Sequence, residues 1–239
     1  MHCAIDNTFK NNISQRITQI LTHTQKYNAE VMAVVKYAKK EEIIDLINDG
    51  RIKILGENRV QDSIRRWKDD PDFINLRNKI ELHFIGHLQK NKVKHAIKLF
   101  DSIDSVDSIE IAADLDRKAQ DLSKKIPVML QIKINERETQ YGINLNEFEY
   151  VFKEISNLSN ISLRGIMAIG PITDNEEEIA NTFKKAKQIY DKYFKSEKNN
   201  DGFKNIFSIG MSSDWEIALK EGSNLIRIGS YLFQQGGKK

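Results

Sequence analysis

The chain has 239 residues, 40% hydrophobic and 30% charged, which is enough for one sizeable core at a length that single α/β barrels commonly reach. Its 37 basic and 34 acidic residues leave a net charge of +3 spread along the whole chain, which argues against the clustered basic face that nucleic acid requires. Cys3 is the one cysteine, so an intrachain disulfide scaffold and a cysteine metal site are excluded, and a reducing cytoplasm is the expected compartment.

The first residues, "MHCAIDNTFK", lack the apolar centre of a secretory leader. No later apolar run approaches the roughly 20 residues of a bilayer span, so no membrane partner is expected. Residues 7–27 place Phe9, Ile13, Ile17 and Ile20/Leu21 at three- and four-residue steps, which predicts an amphipathic helix. Short apolar runs follow near 31–36, 53–55, 81–85, 100–103, 127–134, 161–167, 206–209 and 224–228, and each predicts a strand. Helical stripes lie between most of them. Ile109, Ala112, Leu115, Ala119 and Leu122 form one, and Phe183, Ala186, Ile189/Tyr190 and Tyr193/Phe194 form another. Strands alternating with helices imply parallel βα units with right-handed connections. A (β/α)8 barrel preceded by one extra helix is therefore expected, as one domain over residues 1–239, with "KSEKNNDGF" at 195–203 a polar loop. An open doubly wound sheet is the alternative, but no G-x-G-x-x-G follows the first strand.

Barrel chemistry gathers where strands end at their C-termini. Strand one ends in Lys36, strand two runs into "GENRVQ" with Asn58, and strand three ends at Gly86-His87. Strand six ends at "GIMAIGP", strand seven leads into "SIGMSSDW", and strand eight carries Arg227 before Gly229-Ser230. Lys36 shares a strand face with Met32 and Val34. If that face is the barrel interior, desolvation disfavours the ammonium and frees an amine that attacks carbonyls. By position alone, a strand-end lysine snorkelling to water is the better explanation, and the other strand ends are what tip the balance.

Loops after strands seven and eight frequently bind phosphate in barrels. Here Ser212 precedes a helix whose cap reads as Ser213 with Glu216 three residues on. Gly229 lets backbone N–H groups approach an anion, and Ser230 adds a hydroxyl. Ordinary turn chemistry gives the same residues. With a lysine on one strand and a phosphate cradle opposite, the pattern points to a phosphorylated aldehyde held as an imine.

His83 and His87 have the spacing of a zincin helix without its Glu, and on a strand they would stand about 13 Å apart, so no metal site is expected. Asp104 and Asp107 read as caps of the following helix.

"VVKYAKKEEIIDLINDG", "LGENRVQD", "LHFIGHLQKNKVK", "LRGIMAIGP" and "FSIGMSSDWEIALKEGSNLIRIGSYLF" together closely resemble the YggS-type pyridoxal phosphate homeostasis proteins, relatives of the alanine racemase N-terminal barrel. The resemblance runs from about 28 to 233. It implies that Lys36 forms a Schiff base with pyridoxal 5′-phosphate (PLP) and that Arg227 faces the pyridine nitrogen. Ser212, Gly229 and Ser230 would hold the phosphate, with Met211 beside them, and Asn58 and His87 would line the pocket near the ring. Val35, "YAKK" at 37–40 and Gln140 depart from the usual family residues.

Two functions then compete. A racemase or transaminase-like enzyme needs acid and base groups on both faces of its substrate. In alanine racemases one of these comes from a separate C-terminal domain, and six residues follow residue 233 here. An arginine at the ring nitrogen also weakens the electron sink. The resemblance therefore implies a cofactor buffer and carrier without catalytic residues, monomeric and cytoplasmic, with PLP-dependent apoenzymes as further partners.

Overall fold

The structure is a computed structural model and describes residues 4–135, 140–194 and 196–233. Helix α1 (Ala4–Gln25) comes first and buries Ile13, Ile17 and Ile20, while the side chain of Phe9 lies outside the described residues. The rhythm then begins with β1 (Glu30–Val34), α2 (Lys40–Asp49), β2 (Ile54–Glu57), α3 (Val60–Ile64) and α4 (Pro71–Leu76). It continues through β3 (Glu81–Phe84), α5 (Val93–Leu99), β4 (Ser102–Val106), α6 (Ile109–Gln120) and β5 (Ile126–Lys133). The chain closes with β6 (Ile143–Asn144), α7 (Phe148–Ser156), β7 (Ile161–Ala168), α8 (Glu176–Tyr193), β8 (Ile206–Ser208), α9 (Trp215–Lys220) and β9 (Leu225–Ile228).

All strand pairs are parallel, in the order β8-β7-β5-β4-β3-β2-β1-β9, with the two-residue β6 set beside β5. The seam between β8 and β9 is bridged by Asn224 N–H to Phe207 O (3.1 Å) and Arg227 N–H to Gly210 O (3.0 Å). The Asn224 side chain adds a third link, its Oδ1 accepting from Phe207 N–H at 2.8 Å. The result is a nearly closed barrel, so the open doubly wound alternative falls. Gly165 permits the close fit of β7 on β8: it sits at φ +143°, and a Cβ there would meet Ile206 O at 1.8 Å.

Alternation along the strands separates two apolar regions. Met32, Ile54, Met129, Met167, Ile206 and Leu225 form an inner cluster, with Ile85 beside it. Val31, Ala33, Leu55, Leu82, Val128 and Leu130 belong to the larger outer layer beneath the helices. Helix α6 docks there through Ile111, Ala112, Leu115 and Ala119, and truncating a side chain such as Leu115 costs about 2–5 kcal/mol. Leu122 falls past the helix end and is exposed. Helix α8 docks through Ile179, Phe183 and Ala186.

Two expected caps move. Ser108 caps α6 by accepting from Ile111 N–H, so neither Asp104 nor Asp107 is its cap. Helix α9 begins one residue later than expected, with Asp214 rather than Ser213 at its start. Among the described residues no helix is long and apolar enough to cross a membrane.

Candidate functional site

The βα loops bring Lys36, Asn58, His87, Met211, Ser212, Gly229 and Ser230 to one end of the barrel, with Arg227 just inside it. Strand β1 stops at Val34, so Lys36 lies two residues beyond the wall. Its side chain is exposed, with Nζ 5.0 Å from the ring centre of Tyr37, which is exposed as well. The expected desolvation of the ammonium is therefore not found, because the strand ends before it can enclose that residue. What the fold supplies is an accessible primary amine on a fixed backbone. Val35 N–H donates to Gly56 O at 3.1 Å, and Arg66 Nη1 donates to Val35 O at 3.4 Å.

Arg66 also pairs with Glu57, a carboxylate buried at the end of β2, which accepts from Trp67 Nε1 as well (3.1 Å). Burial pushes the Glu57 carboxyl up, and Arg66 and Trp67 oppose that push. This anchor ties the turn 65–69 to the backbone just before Lys36. In the motif "GENR" Asn58 is the conspicuous residue, whereas nothing local in the sequence marks Glu57.

Asn58 is half-buried and sits against Gly86, where a Cβ would meet Asn58 O at 2.1 Å. Only glycine lets the loops after β2 and β3 touch. Next to it, His87 Nδ1 donates to Asp107 Oδ2 at 3.1 Å, and its ring stacks on Tyr141 at 3.6 Å and 10°. Asp107, expected as a helix cap, thus serves the mouth instead, and Tyr141 joins it from the loop after β5. Gln140 donates from Nε2 to Ile169 O at 3.3 Å, and its buried Oε1 has no partner.

Strand β9 pairs with β1, with Ala33 opposite Ile228, so the glycine-serine turn adjoins the Lys36 strand rather than facing it across the barrel as expected. The N–H groups of Gly229 and Tyr231 both donate to Ser212 Oγ, at 3.2 and 3.3 Å. Two backbone donors thus converge on one point, a nest-like geometry whose acceptor here is the Ser212 hydroxyl. Ser230 and Met211 are exposed beside it. Met211 N–H donates to Asp214 Oδ1 at 2.6 Å, which shapes the turn before α9.

Below this rim Arg227 is buried, donating to Ser208 O and Oγ (2.8 and 2.7 Å) and to Ala168 O (2.8 Å). Burial lowers its pKa to about 10, with Asp214 and Asp104 pulling the other way. Deeper still lies a second polar group. His83 Nδ1 meets Asp104 Oδ2 at 2.7 Å and Nε2 meets Glu81 Oε2 at 3.3 Å, while Ser102 Oγ donates to Asp104 Oδ1 at 2.5 Å. Burial disfavours the His83 charge, but Asp104 and Glu81 together outweigh it and raise the pKa to about 9. Asp104 is an interior counter-charge, a role its sequence context hid. The barrel end thus brings together an amine, the serine-centred turn and a buried guanidinium from neighbouring strands.

The family described as alanine racemase, N-terminal domain, matches residues 10–235. A pyridoxal phosphate homeostasis protein of Helicobacter pylori is 30% identical over 233 residues, covering 95% of this chain and 99% of that relative. Its counterpart in Haemophilus influenzae is 32% identical over 205 residues, covering 85% and 84%. Among solved structures, PipY of Synechococcus elongatus PCC7942 with PLP bound matches with a TM-score of 0.79 at 28% identity, over 92% of this chain and 99% of that one. The barrel topology, the convergent mouth and these full-length matches agree: the chain belongs to the alanine racemase N-terminal domain family, among the pyridoxal phosphate homeostasis proteins.

Proposed function

We propose that this chain binds PLP at the barrel mouth as a Schiff base on Lys36 and serves to buffer and carry that cofactor, without substantial catalysis. The carrying observation is the accessible Lys36 amine beside the Ser212–Gly229–Tyr231 nest on the paired strand. The residues fit the group. An aldehyde needs a primary amine, and Lys36 presents one in solvent reach. A phosphate needs hydrogen-bond donors, which the hydroxyls of Ser212 and Ser230 supply, with the N–H groups of Gly229 and Tyr231 polarising the Ser212 hydroxyl from behind. Arg227, Asn58, His87 and Met211 complete the surroundings.

When bound, PLP supplies a reactive aldehyde and an electron sink whose strength depends on ring-nitrogen protonation. Arg227 has only donors, so it cannot accept a hydrogen bond from a protonated ring nitrogen as a carboxylate would. That favours holding over turnover, and the names of the relatives support it. The reading extends to a one-domain, monomeric, cytoplasmic protein that passes its cofactor to PLP-dependent apoenzymes.

Borohydride reduction of the loaded protein followed by peptide mapping should place the pyridoxyl mass on Lys36, and Lys36→Ala should remove the visible imine band. A label on another lysine overturns the assignment. With L-alanine, L-serine or L-glutamate, D-isomer should form only in traces; turnover above about 1 s⁻¹ would restore a racemase reading.

A further inference from the structure

We infer that His87 is a proton-transfer group for amine exchange at Lys36, with Asp107 as its positioning residue; this rests on the proposal that Lys36 carries the cofactor. The reason is the ring's unequal partnering. His87 Nδ1 lies 3.1 Å from Asp107 Oδ2, and the Asp107 side chain is only 10% exposed. A carboxylate accepts and does not donate, so the Nδ1–H tautomer is fixed and Nε2 is left to take up a proton. The stack on Tyr141 fixes the ring plane. Among the described residues Nε2 has no recorded partner, and the side chain keeps 35% of its surface in solvent. An oriented imidazole with one edge committed and the other free is the arrangement of a general acid and base.

Position agrees with that use. Strands β1, β2 and β3 are consecutive neighbours, so the backbones leading to Lys36 and His87 stand about 10 Å apart across the mouth. At that separation a lysine and an imidazole are each long enough to meet a small reacting group held between them.

A carrier must give up its cargo on demand. When an incoming primary amine displaces Lys36 from a protonated imine, a C=N linkage to the incoming nitrogen forms as the one to Lys36 Nζ breaks. With the imine nitrogen protonated before and after, one proton leaves the incoming nitrogen and one arrives on Lys36 Nζ, with no change of oxidation state. Nε2 accepts that proton and returns it. Asp107 stabilises the imidazolium formed in between.

The test uses loaded full-length protein with ethylamine as the probe, following exchange by stopped-flow absorbance. In His87→Gln the exchange rate should fall roughly a hundredfold, within the usual range for a lost acid/base group, while cofactor affinity moves far less. Asp107→Asn should slow exchange about tenfold, and imidazole added to His87→Gly should restore much of the rate. In unloaded protein, ¹⁵N NMR should show the Nδ1–H tautomer of His87, lost in Asp107→Asn. Rate and affinity falling together, or no imidazole rescue, would make His87 a pocket wall and overturn the inference. Absence of a Lys36 label after borohydride in wild type would instead bring down the underlying reading.

Discussion

His83 and His87 leave the same strand four residues apart, yet one ends in the floor of the barrel and the other at its mouth. On the floor, His83 has both nitrogens taken by carboxylates and no solvent exposure. At the mouth, His87 has one nitrogen taken and a third of its side chain open. The same contrast runs through their surroundings. Asp104 is saturated by His83 and Ser102, whereas Lys36 and Ser230 face solvent. Saturated polar groups hold a structure in one state, because each partner would cost dearly if left alone. Groups with spare valence are the ones a ligand can use.

The largest expected effect comes from breaking the floor. Asp104→Ala would leave the His83 imidazolium with only Glu81 and the Ser102 hydroxyl with only Pro127 O, at 3.3 Å. Removing one partner of a buried pair costs about 3–5 kcal/mol. Urea unfolding of the unloaded protein measures it directly. A loss below about 1 kcal/mol would mean that the floor is not the saturated lattice its distances describe.

A somewhat smaller effect follows from pH. The His83 pKa is raised from 6.5 to about 9 in the fold. Its stabilising contribution is therefore fully present below pH 6.5 and is lost as pH rises through about 9. That difference corresponds to about 3 kcal/mol. Unfolding free energies at pH 6 and pH 10 should show this decline, and His83→Gln should flatten it. An unchanged slope in that variant would assign the decline to other groups.

The same contrast explains what could be read from sequence. Lys36 and Arg227 stood out because a cation in an apolar run breaks the local pattern. The strand rhythm gave the barrel for a similar reason: periodicity is local. Asp104 and Asp107 were misread because an aspartate that caps a helix and one that pairs across a barrel look alike along the chain. Tyr141 was missed because its stack on His87 joins loops after β3 and β5. Glu57 hid beside the more conspicuous Asn58, and its partners Arg66 and Trp67 meet it only through the turn at 65–69. Burial of Lys36 was overestimated because a run of apolar residues does not reveal where the strand itself stops. The cradle's place beside Lys36 needed the pairing of the first strand with the last.

The smallest expected effect lies at the mouth, in Ser212. Its Oγ accepts N–H groups from Gly229 and Tyr231, so its own proton is free to be donated outward. Ser212→Ala removes that one O–H donor and unmasks two N–H donors at the same place. A phosphate oxygen can take the N–H groups itself, so the loss is partly offset. A hydrogen bond to a charged group is worth roughly 1.5–3 kcal/mol, and the offset should leave about 1.4 kcal/mol, or tenfold in affinity. Unfolding stability without ligand should fall by a comparable amount, since the two N–H groups then have only water. Titration with PLP and with unphosphorylated pyridoxal, followed by imine absorbance, separates the two contributions. Only the PLP affinity should fall in the variant, while pyridoxal, which has no phosphate for the nest to hold, should bind both proteins alike. If the two aldehydes lose affinity equally, Ser212 shapes the mouth as a whole and the nest is not where the anion sits.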